Sequence, residues 1–201
     1  MNTPTPTINL TALINRVKLV ILSPKECWQT ISNEQTDPKA FTITTVAPLV
    51  VAGVICTTIG MTIFGIPIPL LGTQRAPFFS SLIAGISNGA VTIAMLFIAA
   101  LVAQKLTGFF QGSATFERSF SLVAHSALPG LAATVLGIYP ALSPLQIIFG
   151  IVGLYALYQG TSVMTTVGER NRLGFVAAFM VSMLLVALII VGIEQALGIG
   201  R

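Results

Sequence analysis

Long apolar runs separated by short polar segments dominate this chain. Four stretches contain no charged residue, and each is longer than the ~20 residues with which an α-helix crosses a ~30 Å hydrocarbon core. The stretches are 40–74, 76–104, 119–168 and 173–193. The third has room for two crossings, because Pro140 and Pro144 mark a turn within it. The pattern predicts five membrane-spanning helices, at about 41–64, 79–103, 119–139, 144–166 and 173–197.

Three short motifs predict where helices begin. Ser23-Pro24-Lys25-Glu26 combines an N-cap, a proline at the first helical position and a glutamate that closes a capping box. Asp37-Pro38 repeats the cap and proline ahead of the first span. Ser143, followed three residues later by Gln146, predicts a capping box that starts the fourth span.

The segment before the first span predicts an amphipathic helix followed by a short second helix. The apolar stripe consists of Leu10, Leu13, Ile14, Val17 and Ile21. Two interpretations stay open: the helix lies on the membrane surface with Arg16 and Lys18 near anionic headgroups, or it packs on the end of the bundle. Trp28, the only tryptophan, follows Pro24 in the second helix, and we expect it to be an interfacial anchor.

Two features lie around the second span. The loop 65–78 is apolar and contains Pro67 and Pro69, so we expect it to be irregular and to lie at the membrane interface. Re-entry of the loop into the membrane is the alternative. In the second span, Gly85 and Gly89 form a small-xxx-small pair around Asn88, which favours close helix packing. Packing inside this bundle is the simpler interpretation, and a dimer face is the other.

Composition confirms that water is not the main solvent of this chain. Only 8% of the residues are charged, against about 25% in soluble domains. Basic residues collect in cytoplasmic loops. One side would hold Arg16, Lys18, Lys25, Lys39, Lys105, Arg118, Arg170 and Arg172; the other would hold Arg75 and Arg201. We therefore expect a cytoplasmic N-terminus and an extracytoplasmic C-terminus, and the net charge of +4 is a topology signal, not evidence for nucleic-acid binding.

No motif in the chain predicts an enzyme. All six acidic residues lie outside the charge-free stretches, which argues against ion-coupled transport. His125 and Ser126 are neighbours on a helix and point about 100° apart, so they do not form a nucleophile and base. Cys27 and Cys56 are too far apart for a metal-ligand or disulfide pattern. We expect no catalysis, cofactor or metal.

His125 is still the most distinctive polar position in the predicted spans. Pro129 lies four residues after His125 and has no N–H to donate to the His125 carbonyl. A bend in the helix therefore coincides with the lone histidine. We interpret this place first as a conformational feature and second as a binding site. A passive channel or small transporter is the alternative function, with a path lined by Asn88, His125, Ser126 and Gln159.

Three segments resemble the Yip domain family, five-span membrane proteins named for interacting with Ypt/Rab GTPases. They are Pro24 with Trp28, the stretch 124–129 and the stretch 154–160, Leu-Tyr-Ala-Leu-Tyr-Gln-Gly. The resemblance is nearest to small prokaryotic members. His125 stands where the family commonly has an aromatic residue, and the long cytosolic arm of eukaryotic members is missing. The resemblance therefore implies five helices and an inner or plasma membrane, and no Rab GTPase partner is expected if the protein is prokaryotic.

Together these patterns predict an all-α, polytopic membrane protein. A cytoplasmic N-terminal segment, residues 1–39, precedes a five-helix transmembrane domain, residues 40–201. The expected function is non-enzymatic: binding lipids, other membrane proteins or a second copy, and organising the membrane. Arg16, Lys18, Pro24 and Trp28 are the candidate interfacial or partner-binding residues.

Overall fold

The computed structural model describes residues 9–34, 36–68 and 72–196, with side chains up to residue 190. Five of its helices are long and apolar enough to cross a membrane, which confirms the predicted number. Residue 197, the predicted end of the fifth span, and Arg201 lie outside the described residues. The elements in chain order are α1 Leu10–Leu22, α2 Pro24–Ile31, α3 Pro38–Ile63, β1 Ile66–Ile68, β2 Gly72–Gln74, α4 Phe78–Phe109, α5 Phe116–Ile138, α6 Pro140–Met164 and α7 Glu169–Ala196.

The predicted first residues of α2 and α3, Pro24 and Pro38, are confirmed, but only α3 has the predicted side-chain cap. The Asp37 carboxylate accepts from the amides of Lys39 and Ala40, at 3.1 and 3.3 Å, and so caps α3. Before α2, the Ser23 side chain makes no capping hydrogen bond. The capping box predicted there is therefore wrong, and Pro24 alone marks the first turn.

The boundary between the third and fourth spans is tighter than predicted. α5 ends in a 3₁₀ segment, Thr134–Ile138, and α6 begins with another, Pro140–Leu145, so that Tyr139 alone separates them. No side chain caps the α-helical part that starts at Gln146, and the capping box predicted from Ser143 is wrong. The 3₁₀ turns carry their own backbone hydrogen bonds, so a separate capping side chain is not needed.

The loop between α3 and α4 contains a short hairpin that the sequence did not predict. β1 pairs antiparallel with β2, and Ile66 lies opposite Gln74. Gly65 and Gly72 have φ of 73° and 78°, a left-handed conformation that glycine adopts without steric cost. The hairpin pairs backbone groups that an irregular apolar loop would leave exposed to lipid.

The helix α5 forms the centre of the bundle. In its most apolar window 61% of the residues are buried, against 17–28% for the other four spans. α3 and α4 pack closely beside it, and a Cβ at Gly85 or Gly89 would contact Val54 of α3. The small-xxx-small pair of α4 therefore packs inside the bundle, as the simpler interpretation held.

Different contacts join the helices at the two ends of the bundle. The loops after α4 and α6 lie side by side, joined by the Thr166 amide, which donates to the Ser113 carbonyl at 3.1 Å. At the opposite end, Phe64 packs edge-to-face on Tyr139, with ring centroids 5.2 Å apart. The helices α1 and α2, hereafter the arm, dock at the end formed by the start of α5 and the end of α6.

Candidate functional site at the arm–bundle contact

Trp28 is buried between α5 and α6. Only 1% of it is exposed, and its indole N–H donates to the Ala156 carbonyl at 2.9 Å. The ring lies against Gly160, where a Cβ would overlap the indole. The expectation that Trp28 anchors the chain in the headgroup region is therefore wrong: a glycine leaves room for the indole, and a carbonyl within the bundle satisfies its N–H.

His125 of α5 meets the arm next to Trp28. Its Nε2 lies 2.8 Å from Nη1 of Arg16, and its Nδ1 lies 2.8 Å from the Ser121 carbonyl. A guanidinium can only donate hydrogen bonds, so Nε2 must be the acceptor. The ring hydrogen is therefore on Nδ1, which donates a hydrogen bond to the Ser121 carbonyl. His125 is therefore neutral in this arrangement, which suits a fully buried position in a membrane span.

Arg16 also binds Glu34, which lies after α2. The carboxylate oxygens of Glu34 lie 2.8 and 2.9 Å from Nη2 of Arg16. The two side chains are 29% and 38% exposed, so solvent weakens the ion pair and its direct contribution to stability is small. Its geometric effect is larger, because it holds the guanidinium at His125 and connects both helices of the arm to α5.

Aromatic and hydroxyl groups complete the surroundings of His125. The ring centroid of Phe41 lies 4.5 Å from that of the imidazole, and the centroid of Trp28 lies 6.0 Å away. On the Nδ1 side, the Ser121 hydroxyl is 3.1 Å from the hydroxyl of Thr36. The arm contact site, as we call it, thus comprises Arg16, Trp28, Glu34, Thr36, Phe41, Ser121, His125, Ala156 and Gly160.

The burial of the arm changes the chemistry of Cys27. This thiol lies in α2 beside Trp28 and is 1% exposed. Burial raises the pKa of Cys27 to about 11, and the nearby Arg16 offsets only part of this increase. The thiol is therefore neutral and unreactive while the arm is docked, because the thiolate is the nucleophile.

The other predicted residues do not join the arm contact site. Lys18 is exposed, and Pro24 occupies the first position of α2. Ser126 and Pro129 are buried in α5, and Ser126 lines a groove that His125 does not line. Asn88 is exposed on α4, and Gln159 donates to the Tyr155 hydroxyl at 2.8 Å on the surface of α6.

Sequence reasoning missed Glu34 and Phe41 as members of this site. Glu34 contacts His125 only through Arg16, and Phe41 belongs to the first turn of α3. The contact between Glu34 and Arg16 joins α1 to the segment after α2 across 18 residues, and the contact between Phe41 and His125 joins two different spans. A single sequence carries no signal for such pairs.

A known family model matches most of this chain. The model of the Yip1 domain matches residues 18–191. The chain belongs to the Yip1 domain family. No curated protein and no solved structure matches it. The three segments that carry the resemblance meet at one place in this Yip1 domain protein: Trp28 packs on Gly160, donates to Ala156 and touches His125 edge-on.

The Yip1 domain family consists of helical membrane proteins, and the five membrane-spanning helices of this chain agree with that membership. The contact between Arg16 and His125 depends on an imidazole lone pair. A carbocyclic aromatic residue at position 125 offers no lone pair, so the hydrogen-bonded form of this contact requires the histidine. In this Yip1 domain protein the arm is therefore held by a hydrogen bond as well as by apolar packing.

Proposed function

We propose that this Yip1 domain protein is non-enzymatic and organises its membrane by binding lipids and other membrane proteins. Its arm, docked on the bundle, is the binding element. We further propose that residues 1–39 face the cytoplasm and that residues 40–201 form the transmembrane part. The C-terminus then lies on the extracytoplasmic side of a cell membrane. The preponderance of basic residues in the arm and in the loops after α4 and α6 supports this orientation.

One observation carries the proposal: α1 has two apolar flanks with different surroundings. Leu13 and Val20 are buried against the bundle. Leu10 and Ile14, on the neighbouring flank, are 64% and 44% exposed. A helix at the end of a membrane bundle with one apolar flank free is placed to insert that flank into the adjoining leaflet, and the exposed Lys18 can bind anionic headgroups.

A polar cleft beside the arm offers a second surface, suited to a protein partner or a headgroup. It has a volume of about 710 Å³ and lies between the end of α2 and the start of α5. Asn33, Asp37, Glu117 and Arg118 are among the residues that line it. Groups of both signs favour a polar or zwitterionic partner over a purely apolar one.

The channel alternative receives no comparable support. Its path requires Asn88, His125, Ser126 and Gln159 to line one cavity. In the described part of the chain, Ser126 and Asn88 line two adjoining cavities that share Thr92 and Leu131. His125 lines neither of them and is enclosed by aromatic rings and the Arg16 side chain. Gln159 pairs with a tyrosine on an outer face.

Replacing Leu10 and Ile14 together with aspartate tests the arm as a lipid-binding element. Each apolar side chain withdrawn from the leaflet removes about 1.5–3 kcal/mol of transfer free energy, or less where burial is partial. We expect cross-linking of α1 by a photoactivatable phospholipid in reconstituted vesicles to fall at least about tenfold. Thr11→Asp with Asn15→Asp adds the same charges at the same spacing on the polar side of α1, and it should change the cross-linking little.

The same two variants, purified from native membranes, test the role in organising the membrane. The lipids and proteins that co-purify with the control variant should resemble those of the wild type. Those of the Leu10/Ile14 variant should be depleted. Recovery of the same lipids and proteins with both variants, or unchanged phospholipid cross-linking of the Leu10/Ile14 variant, would refute the proposal.

A further inference from the structure

The hydrogen bond between Arg16 and His125 exists only while the imidazole is neutral. Nε2 uses its lone pair to accept from Nη1 of Arg16 at 2.8 Å, and Nδ1 donates its hydrogen to the Ser121 carbonyl at 2.8 Å. Both ring nitrogens are therefore occupied. The only place for an added proton is the lone pair that Arg16 uses. Protonation would break this hydrogen bond and turn two donors toward each other.

Protonation would also place two positive charges side by side. A guanidinium stays protonated in proteins, so Arg16 cannot give up its charge. The carboxylate that faces Arg16 is Glu34, whose oxygens already bind Nη2 of Arg16 at 2.8 and 2.9 Å. One carboxylate would then be shared between two cations. Because His125 is fully buried, water does not screen the repulsion between them.

Within the described residues, Arg16 is the only other titratable side chain that forms a hydrogen bond with His125. In α2, Cys27 is a neutral thiol, because burial raises its pKa to about 11. At the start of α3, the Asp37 carboxylate accepts from the amides of its own helix. The charged and tyrosine side chains of α5, α6 and α7 nearest this end of the bundle are exposed or engaged elsewhere: Glu117, Arg118, Tyr155, Tyr158, Glu169 and Arg172.

Water lies close to both sides of the imidazole. A cavity of about 390 Å³ between α1 and α3 is lined by Arg16 and Glu34, which are 29% and 38% exposed. On the Nδ1 side, Ser121 lines the polar cleft. If α1 moves away, the lone pair of Nε2 faces this water instead of Arg16. A histidine in water binds a proton near pH ~6.5, so the released form takes up a proton that the docked form excludes.

We propose that the contact between Arg16 and His125 is a pH-sensitive latch, which holds the arm on the bundle while His125 is neutral and releases the arm in acid. By linkage, the latch stabilises docking fully above the pH at which the released histidine titrates, and this stabilisation is lost as the pH falls below it. The regulation rests on the proposed function, because it acts on the arm as the binding element. The bundle presents the free flank of α1 only while the arm is docked.

Cys27 reports release of the arm, because it is 1% exposed and lines a small cavity between α1 and α2. The full-length protein, carrying Cys56→Ala, is placed in phosphatidylcholine nanodiscs, whose headgroups keep a constant charge in this pH range. The rate at which N-acetylcysteine reacts with 4,4′-dithiodipyridine is divided by the rate for Cys27 at the same pH. This protection factor corrects for thiol ionisation. We expect it to fall about tenfold from pH 7.5 to pH 5.5.

Three variants identify the groups responsible. His125→Gln offers an amide oxygen that accepts from Arg16 and does not titrate, so its protection factor should stay constant over this range. Arg16→Gln removes the like charge and offers an oxygen to the imidazolium, so the fall should also vanish. Glu34→Gln is the matched control: it removes a carboxylate but keeps both groups of the latch, so the fall should persist. A constant protection factor in the wild type, or an equal fall in His125→Gln, would overturn the proposal.

The imidazole itself gives a readout that needs no variant. His125 is the only histidine, so labelling histidine with ¹⁵N gives the ring signals of one residue. In the wild-type protein, the signals of the imidazolium should appear over the same pH range in which Cys27 becomes reactive. Protonation of the ring while Cys27 stays fully protected would contradict the latch.

Phospholipid cross-linking of α1 at pH 7.5 separates this proposal from the proposed function. Normal cross-linking together with a protection factor that does not depend on pH would refute the latch alone. A pH-dependent protection factor without cross-linking would support the latch and refute the arm as a lipid-binding element.

Discussion

The Trp28→Ala variant is expected to undock the arm. Truncating a fully buried tryptophan typically costs about 3–5 kcal/mol, and here the Ala156 carbonyl also loses the indole N–H. Cys27 reports the change in a Cys56→Ala background, because release exposes the thiol and lowers its pKa from about 11 toward the ordinary value. At pH 8 the maleimide labelling rate of Cys27 should rise roughly a hundredfold or more.

Two controls separate this effect from general damage to the bundle. Gln29 is the exposed neighbour of Trp28 in α2, so Gln29→Ala should leave the labelling rate near that of the wild type. Trp28→Phe keeps an aromatic ring but lacks the donor, and should give an intermediate rate. Equal, slow labelling of Trp28→Ala and wild type would mean that the indole does not hold the arm.

The Gly160→Ala variant is expected to undock the arm from the other side of the same contact. A Cβ at position 160 would overlap the indole of Trp28 and crowd Leu122, and overpacking of this kind costs about 1–3 kcal/mol. Cys27 labelling should therefore accelerate by about 5- to 150-fold. Gly150→Ala, on the same helix but facing open space, is the matched control and should leave the rate unchanged.

The double variant tests whether the two residues act through one contact. Once Trp28 is alanine, the methyl group at position 160 no longer meets the indole, so most of its cost should vanish. The combined loss of docking free energy should fall short of the sum of the single losses by about 1 kcal/mol or more, as expected for residues in contact. Additive losses would show that Gly160 serves α6 itself and not the tryptophan.

Features encoded locally in the sequence were predictable. Charge-free runs gave the number of spans, because hydrocarbon excludes ionised groups over a fixed thickness. Asp37 with Pro38 set the start of α3 correctly, since a cap depends on neighbours two and three residues away. The strands of the hairpin are only three residues long, which is too short for an alternating pattern to reveal. The two prolines and four isoleucines or leucines between Gly65 and Gly72 fit an irregular loop equally well.

The arm contact site was predicted only as separate residues. Arg16, Trp28 and His125 stood out because each is unusual in its segment, yet their convergence depends on contacts across more than a hundred residues. The headgroup interpretation of Trp28 failed because it used the position of the residue in the sequence. Trp28 is buried because Gly160, on another helix, leaves space for the indole. No local pattern around Trp28 indicates that space.

Whether the arm is seated in the bundle is tested most directly by the fluorescence of Trp28, since the chain has no other tryptophan. The wild-type protein in vesicles should show weak quenching by aqueous iodide and weak quenching by lipids with a nitroxide at the headgroup, because only 1% of Trp28 is exposed. Gly160→Ala should increase both. Strong headgroup quenching in the wild type would place Trp28 at the membrane surface and contradict a docked arm.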